Sequence, residues 1–211
     1  MGRFLTVCSF RVDHGGEHRL KRGLQKYACE LTLDPNTAHR SLLLSEDNKR
    51  VTSAKEDQPH QFHPDRFDTI VQLLCSNGLT GRCYWEVKTK NCFTIGVTYR
   101  GISRRGKGAD CQLGGNDKSW SLCNNWCSWQ IRTRTRTGSF KSSDRIAVYL
   151  DWPAGSVSFY RVSSDTLIHL YTFYSRFTEP LYPGFGLDSS GYSPASVSLC
   201  PLMSEQSQTE V

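Results

Sequence analysis

No apolar run in the 211 residues approaches the ~18–20 that a membrane-spanning helix needs. The opening MGRFLTVCSF is too short, and too soon followed by Arg11, Asp13 and His14, to read as a secretory leader. Helical periodicity is scarce. Catalytic signatures are missing as well: there is no phosphate-binding G-x-x-x-x-G-K-[ST], no G-x-G-x-x-G after a strand, no H-E-x-x-H and no G-x-S-x-G. Leu187-Asp188-Ser189-Ser190-Gly191 resembles a hydrolase loop only superficially, because no base and orienting acid accompany the serine. A non-enzymatic role is therefore expected, with no cofactor. His60 and His63 lack a third ligand, and the C-x3-C pair Cys123/Cys127 has no second knuckle, so no metal is expected either. No N-x-[ST] acceptor is present. Gly2 and Thr6 fit the loose acylation pattern M-G-x-x-x-[ST], which short segments often meet by chance.

Aromatics and turn formers are plentiful. There are 5 Trp, 9 Tyr and 10 Phe, and Gly, Ser, Asn, Asp and Pro recur at short intervals. Such a chain reads as many short strands joined by turns. The net charge of +6 favours acidic partners mildly and does not by itself imply nucleic acid. The cysteines number 9, an odd count without framework spacing, which predicts free thiols and a cytoplasmic setting.

Residues 1–26 read as a linker or arm and 203–211 as a disordered polar tail. Between them the predicted strands are Cys29–Leu33, a hairpin of Ser41–Leu44 with Lys49–Thr52, and Ile70–Cys75. Cys83, Trp85, Val87 and Thr89 alternate with Tyr84, Glu86 and Lys88, and Phe93, Ile95, Val97 and Tyr99 repeat the pattern around Gly96. Gly96 marks a close backbone approach or a bulge. A Gly- and Arg-rich loop, Gly101–Asn116, precedes short strands around Trp120–Leu122 and Trp126–Ile131. Ile146–Leu150 and Val157–Val162 flank the turn Asp151–Gly155. Leu167–Tyr174, Leu181–Leu187 and Ser196–Leu199 complete about a dozen strands, enough for a two-sheet sandwich. Gln58–Phe67 is no central strand, because Pro59 and Pro64 cannot donate to a ladder.

Five blocks carry a family resemblance: LTLDPNTAH (Leu31–His39), YWEV (Tyr84–Val87), YLDWPAGSVSFY (Tyr149–Tyr160), EPLYPGF (Glu179–Phe185) and VSLCPL (Val197–Leu202). In this order they resemble the PRY-SPRY family, as found at the ends of tripartite-motif proteins and fish-type NOD-like receptors. The resemblance implies an all-β fold, a bent sandwich of two antiparallel sheets of the concanavalin-like jelly-roll kind. PRY would cover about 27–75 and SPRY about 76–202. It implies a protein or peptide ligand bound in a loop-lined groove, in innate-immune signalling or ubiquitin-ligase targeting, by a domain that is monomeric in isolation. No nucleic acid is expected. The position of Arg100 lines that groove and is acidic in an antibody-binding member, so a ligand of opposite charge is expected here. Two aromatic anchors of that member fall at Cys123 and Asn125, and the nearby Trp126 and Trp129 are candidate substitutes.

The candidate ligand-binding set is thus Tyr99, Arg100, Arg105, Asn125, Trp126, Trp129, Phe185 and Asp188. Trp85 and Trp152 read as packing residues. Arg132, Arg134 and Arg136 alternate with threonines, so on a strand their guanidinium groups share one face. That face is a charged outer strand or an anion site, the latter for a phosphorylated ligand of the kind some butyrophilins hold.

Overall fold

The structure is a computed structural model that describes residues 21, 23–59, 61–91, 93–123, 145–164, 166–187 and 193–202. Its strands are β1 (Leu42–Leu44), β2 (Arg50–Ser53), β3 (Gln72–Leu74), β4 (Arg82–Lys90), β5 (Phe93–Tyr99), β6 (Ser119–Cys123), β7 (Arg145–Asp151), β8 (Ser156–Ser163), β9 (Thr166–Tyr174), β10 (Leu181–Leu187) and β11 (Ser196–Leu199). They form a seven-stranded sheet, β1-β2-β11-β4-β7-β8-β9, and a four-stranded sheet, β3-β10-β5-β6. Every pairing between named strands is antiparallel.

Alternation explains why the two sheets face each other. Val51, Trp85, Val87, Val148 and Phe159 from the larger sheet meet Leu73, Ile95, Val97, Leu181 and Phe185 from the smaller in one buried cluster. Each such side chain contributes about 1.5–3 kcal/mol on leaving water. Trp85 lies in that core, as its alternation predicts.

Turns follow their chemistry. The Asp34 carboxylate accepts from the Asn36 N–H at 3.0 Å, the Asx geometry expected ahead of Pro35. In the β1–β2 hairpin the Asp47 carboxylate accepts from the Lys49 N–H at 3.1 Å, and Asn48 adopts φ 52°, which asparagine tolerates. Asp151 caps its own hairpin by accepting from the Ala154 N–H at 3.1 Å. Trp152 donates its indole N–H to the Glu179 carbonyl at 3.0 Å while packing against the core.

Three expectations change. Cys29–Leu33 is not a strand; it makes only the flanking bridges Ala28↔Tyr84 and Leu33↔Cys75. The expected arm ends inside the fold: Leu24 is buried on the outer face of the larger sheet with Tyr84, Ala147, Tyr160 and Leu167. Finally, the thiols are not all free. The Cys29 N–H donates to the Tyr84 carbonyl, which draws the segment beside β4 and brings the Cα atoms of Cys29 and Cys83 to 5.6 Å, where the two form a disulfide. Among the described residues Cys75, Cys111 and Cys200 are free. Peptide mapping without reductant is expected to recover Cys29 and Cys83 in one cross-linked pair. Reduction should lower the melting temperature, since the bond closes a loop of sequence separation 54 and such bonds contribute about 2–4 kcal/mol. Recovery of both residues as free thiols would contradict the pairing.

Candidate recognition surface

The outer face of the small sheet is built from alternate residues of four strands. Its middle row runs Leu74, Gly184, Gly96, Ser121 across β3, β10, β5 and β6. The chain of residues 101–118 folds back over this row. Gln72, buried on β3, clamps it twice: its side-chain N–H donates to the Cys111 carbonyl at 2.5 Å, and its carbonyl accepts from the Leu113 N–H at 3.1 Å. Ser121 Oγ donates to the Leu113 carbonyl at 3.3 Å, and the Gly114 N–H donates to Ser119 Oγ at 2.7 Å. Asn116 closes the segment internally by donating to the carbonyls of Ala109 and Gln112 at 2.9 and 3.0 Å.

Gly184 makes room for this layer, and Gly96 for the close approach of β6. A Cβ on Gly184 would stand 2.9 Å from Leu74 and 3.3 Å from Leu113, and one on Gly96 would stand 2.4 Å from the Trp120 carbonyl. Gly96 is thus the close backbone approach that its place in an alternating strand predicts.

Beyond the layer, toward one end of the sheet, lies a floor of small side chains. Gly186 pairs with Thr94, and Thr94 with Cys123, so the three stand in one row; all are partly exposed. Thr94 Oγ1 donates to Cys123 Sγ at 3.4 Å.

At the opposite end of β5 is a charged knot. Arg100 follows the last strand residue and pairs with Asp65 Oδ2 and, at 3.5 Å, with Asp34 Oδ2; its guanidinium lies 5.3 Å from the Tyr182 ring centre. Arg104 donates to the carbonyls of Asp65 and Arg100 at 2.9 and 3.0 Å and stacks 4.7 Å from the Phe67 ring centre. Burial lowers the pKa of Arg104, with Asp65 acting against it. Arg66 donates to the Pro35 carbonyl at 3.0 Å, and Asp68 accepts from the Gly106 N–H at 3.2 Å. Arg100, Arg104 and Asp68 therefore tie residues 61–68 to the turn after β5, and Arg66 ties the same segment to residues 35–38.

The expected site residues separate as follows. Arg100 is on this face, with its side chain 39% exposed, but its charge is already met by two carboxylates. The expectation of an oppositely charged ligand at Arg100 loses its basis. Arg105 is exposed on the overlying layer, and its carbonyl accepts from Cys111 Sγ at 2.7 Å. Tyr99 turns the other way. Its ring packs edge-on against Trp120, with centroids 5.5 Å apart, and its hydroxyl accepts from the Thr178 N–H at 3.0 Å. Phe185 is fully buried in the core, so it cannot form a groove wall. Both corrections have one cause: in a strand, neighbours point to opposite faces, and Tyr99 and Phe185 fall on the core side. Asn125, Trp126, Trp129, Asp188, Arg132, Arg134 and Arg136 lie outside the described residues.

Gln72, Asp65, Asp34 and Tyr182 belong to the surface and were not foreseen. Gln72 had a signal, a lone amide inside the apolar run Ile70–Cys75; Asp65 had none. Among the described residues no group of three His, Cys, Asp or Glu side chains could hold a metal ion. Among them, too, no helix is long and apolar enough to cross a membrane, which says nothing of a β-barrel.

Comparison with known proteins agrees with the two-sheet fold. Residues 31–79 match the model of PRY, the SPRY-associated domain, and residues 82–198 match that of the SPRY domain. The chain is 43% identical over 170 residues to stonustoxin subunit beta of Synanceia horrida, covering 78% of the chain and 24% of that protein. It is 35% identical over 179 residues to tripartite motif-containing protein 16 of Mus musculus, covering 81% of the chain and 32% of that protein. The crystal structure of the TRIM65 PSpry domain superposes with a TM-score of 0.74 at 28% identity, over 86% of the chain and 96% of that domain. The chain thus spans about a quarter to a third of the length of these two relatives.

Proposed function

The chain belongs to the PRY-SPRY family, a family of protein-interaction modules, and from that premise we propose that it recognises a protein or peptide ligand on the outer face of its small sheet. The observation that supports this reading is the row Gly186–Thr94–Cys123, three small, partly exposed residues on the outer face of the small sheet, beside the pinned 101–118 layer. Binding residues are disproportionately carried by segments that connect the strands of a rigid scaffold. Asn125, Trp126, Trp129 and Asp188, which follow β6 and β10 in sequence, belong to the proposal as ligand contacts, with Arg105 on the overlying layer. Arg100 enters it as the residue that anchors the surface to the 61–68 segment.

Service in innate-immune signalling or ubiquitin-ligase targeting, a cytoplasmic setting and a monomeric isolated domain are parts of the same proposal. The cytoplasmic part no longer draws on a full set of free thiols, given the Cys29–Cys83 bond.

The test is capture of binding partners by the isolated chain, repeated with variants. Trp126→Ala or Trp129→Ala is expected to weaken binding of the captured protein by about 2 kcal/mol while the melting temperature holds. Thr94→Arg, which places a long cation on the floor, should abolish it. Binding that survives all three substitutions would move the site elsewhere.

A further inference from the structure

The larger sheet carries a second surface on the face turned away from the core. The register gives its composition: Arg50 on β2 stands opposite Ser198 on β11, Ser198 opposite Lys88 on β4, and Lys88 opposite Arg145 on β7. The intervening residues Val51, Val87, Val197 and Ile146 are buried in the core, which turns this row outward. The adjacent row is Leu43, Thr52, Ser196 and Lys90.

Arg50, Lys88 and Lys90 are exposed, and among the described residues none has a carboxylate partner. Arg145 differs, since it is held by the buried Glu86. The positions between the cations carry only the hydroxyls of Thr52, Ser196 and Ser198. The result is a flat basic patch on one rigid face, on the opposite side of the sandwich from the small-sheet surface.

We propose that this patch docks an acidic, extended segment of a partner protein. Lys88 and Lys90 are two residues apart on one strand, about 6.7 Å, which is the repeat of side chains along one face of any extended chain. Carboxylates on alternate residues of such a segment would meet them in step. Arg50 stands two strands away, about 10 Å, within reach of a third carboxylate. A second copy of the chain fits poorly, because both copies carry +6. A single-stranded nucleic acid would draw on a ring to stack on. The aromatics of this face, Tyr84, Tyr149 and Tyr160, are instead packed with Leu24, Tyr27 and Leu202.

The probe is a fluorescein-labelled octapeptide of alternating Glu and Ser, titrated by anisotropy against the full chain. Phosphatidylserine vesicles and a single-stranded oligonucleotide of random sequence serve as competitors. Combined Arg50→Glu, Lys88→Glu and Lys90→Glu is expected to weaken peptide binding at least tenfold, in line with the modest strength of each exposed pair. The wild-type affinity should fall steeply with added salt. The melting temperature should hold, since all three side chains are exposed; if the triple reversal unfolds, the triple alanine variant gives the same reading. Unchanged peptide affinity in the variant overturns the proposal. So does tighter binding of the vesicles or the oligonucleotide than of the peptide, which would assign the patch to a membrane or a nucleic acid.

Discussion

Phe185→Ala is expected to cost about 3–5 kcal/mol of folding stability, the range for deleting a large aromatic from a core. Phe185 is 0% exposed, on a strand between two others, and pairs with Leu73 on β3 and Ile95 on β5. The cavity would open where both sheets meet, and the antiparallel neighbours cannot collapse into it without breaking their ladders. Urea unfolding should show a lower midpoint with an unchanged slope. Any loss of ligand binding should be recovered under conditions where the variant is folded. A Phe185→Ala protein of wild-type stability that no longer binds its partner would return the residue to the groove.

The second large effect concerns Glu86 and Arg145. The Glu86 side chain is 1% exposed, and its carboxylate accepts from the Tyr84 hydroxyl at 2.6 Å and forms an ion pair with Arg145 Nε. Burial, reinforced by the carboxylate itself, pushes the Tyr84 phenol far above its ordinary pKa, so it keeps its proton and stays a donor. Arg145→Ala would leave a buried carboxylate with one neutral donor. Breaking a fully buried pair costs about 3–5 kcal/mol; because Arg145 is 45% exposed, about 2–3 kcal/mol is expected here. Glu86→Gln in the same background should recover part of that loss, because the remaining group is then uncharged. Chemical denaturation of the four proteins of the cycle measures it. Equal losses for Arg145→Ala in both backgrounds would mean that the pair is not coupled.

Most of the sandwich was legible because strands of both sheets turn an alternating set of apolar residues to one shared core. β4 and β5 declared themselves through alternation, and Asp34, Asp47 and Asp151 through turn chemistry. Tyr99 and Phe185 were misassigned despite that same signal. Phe93, Ile95, Val97 and Tyr99 share one face, as do Leu181, Pro183, Phe185 and Leu187, and that face is the core side, whatever the family layout implies. Other features had no local trace. The Cys29–Cys83 contact depends on a segment lying beside β4 that sequence spacing does not reveal. The pairing of Arg100 with Asp34 and Asp65 joins residues 66 and 35 positions apart. Charges brought together by loop closure leave no periodicity to read, which is why the knot was invisible and its consequence, a neutralised Arg100, was missed.

The most direct test of the central claim is amide hydrogen exchange of the chain with and without a captured protein ligand. The account predicts ligand-dependent protection in the 101–118 layer and in the residues that follow Cys123 and Leu187, with β7, β8 and β9 unchanged. Protection confined to the outer face of the seven-stranded sheet, with the small sheet exchanging as in the free protein, would contradict it.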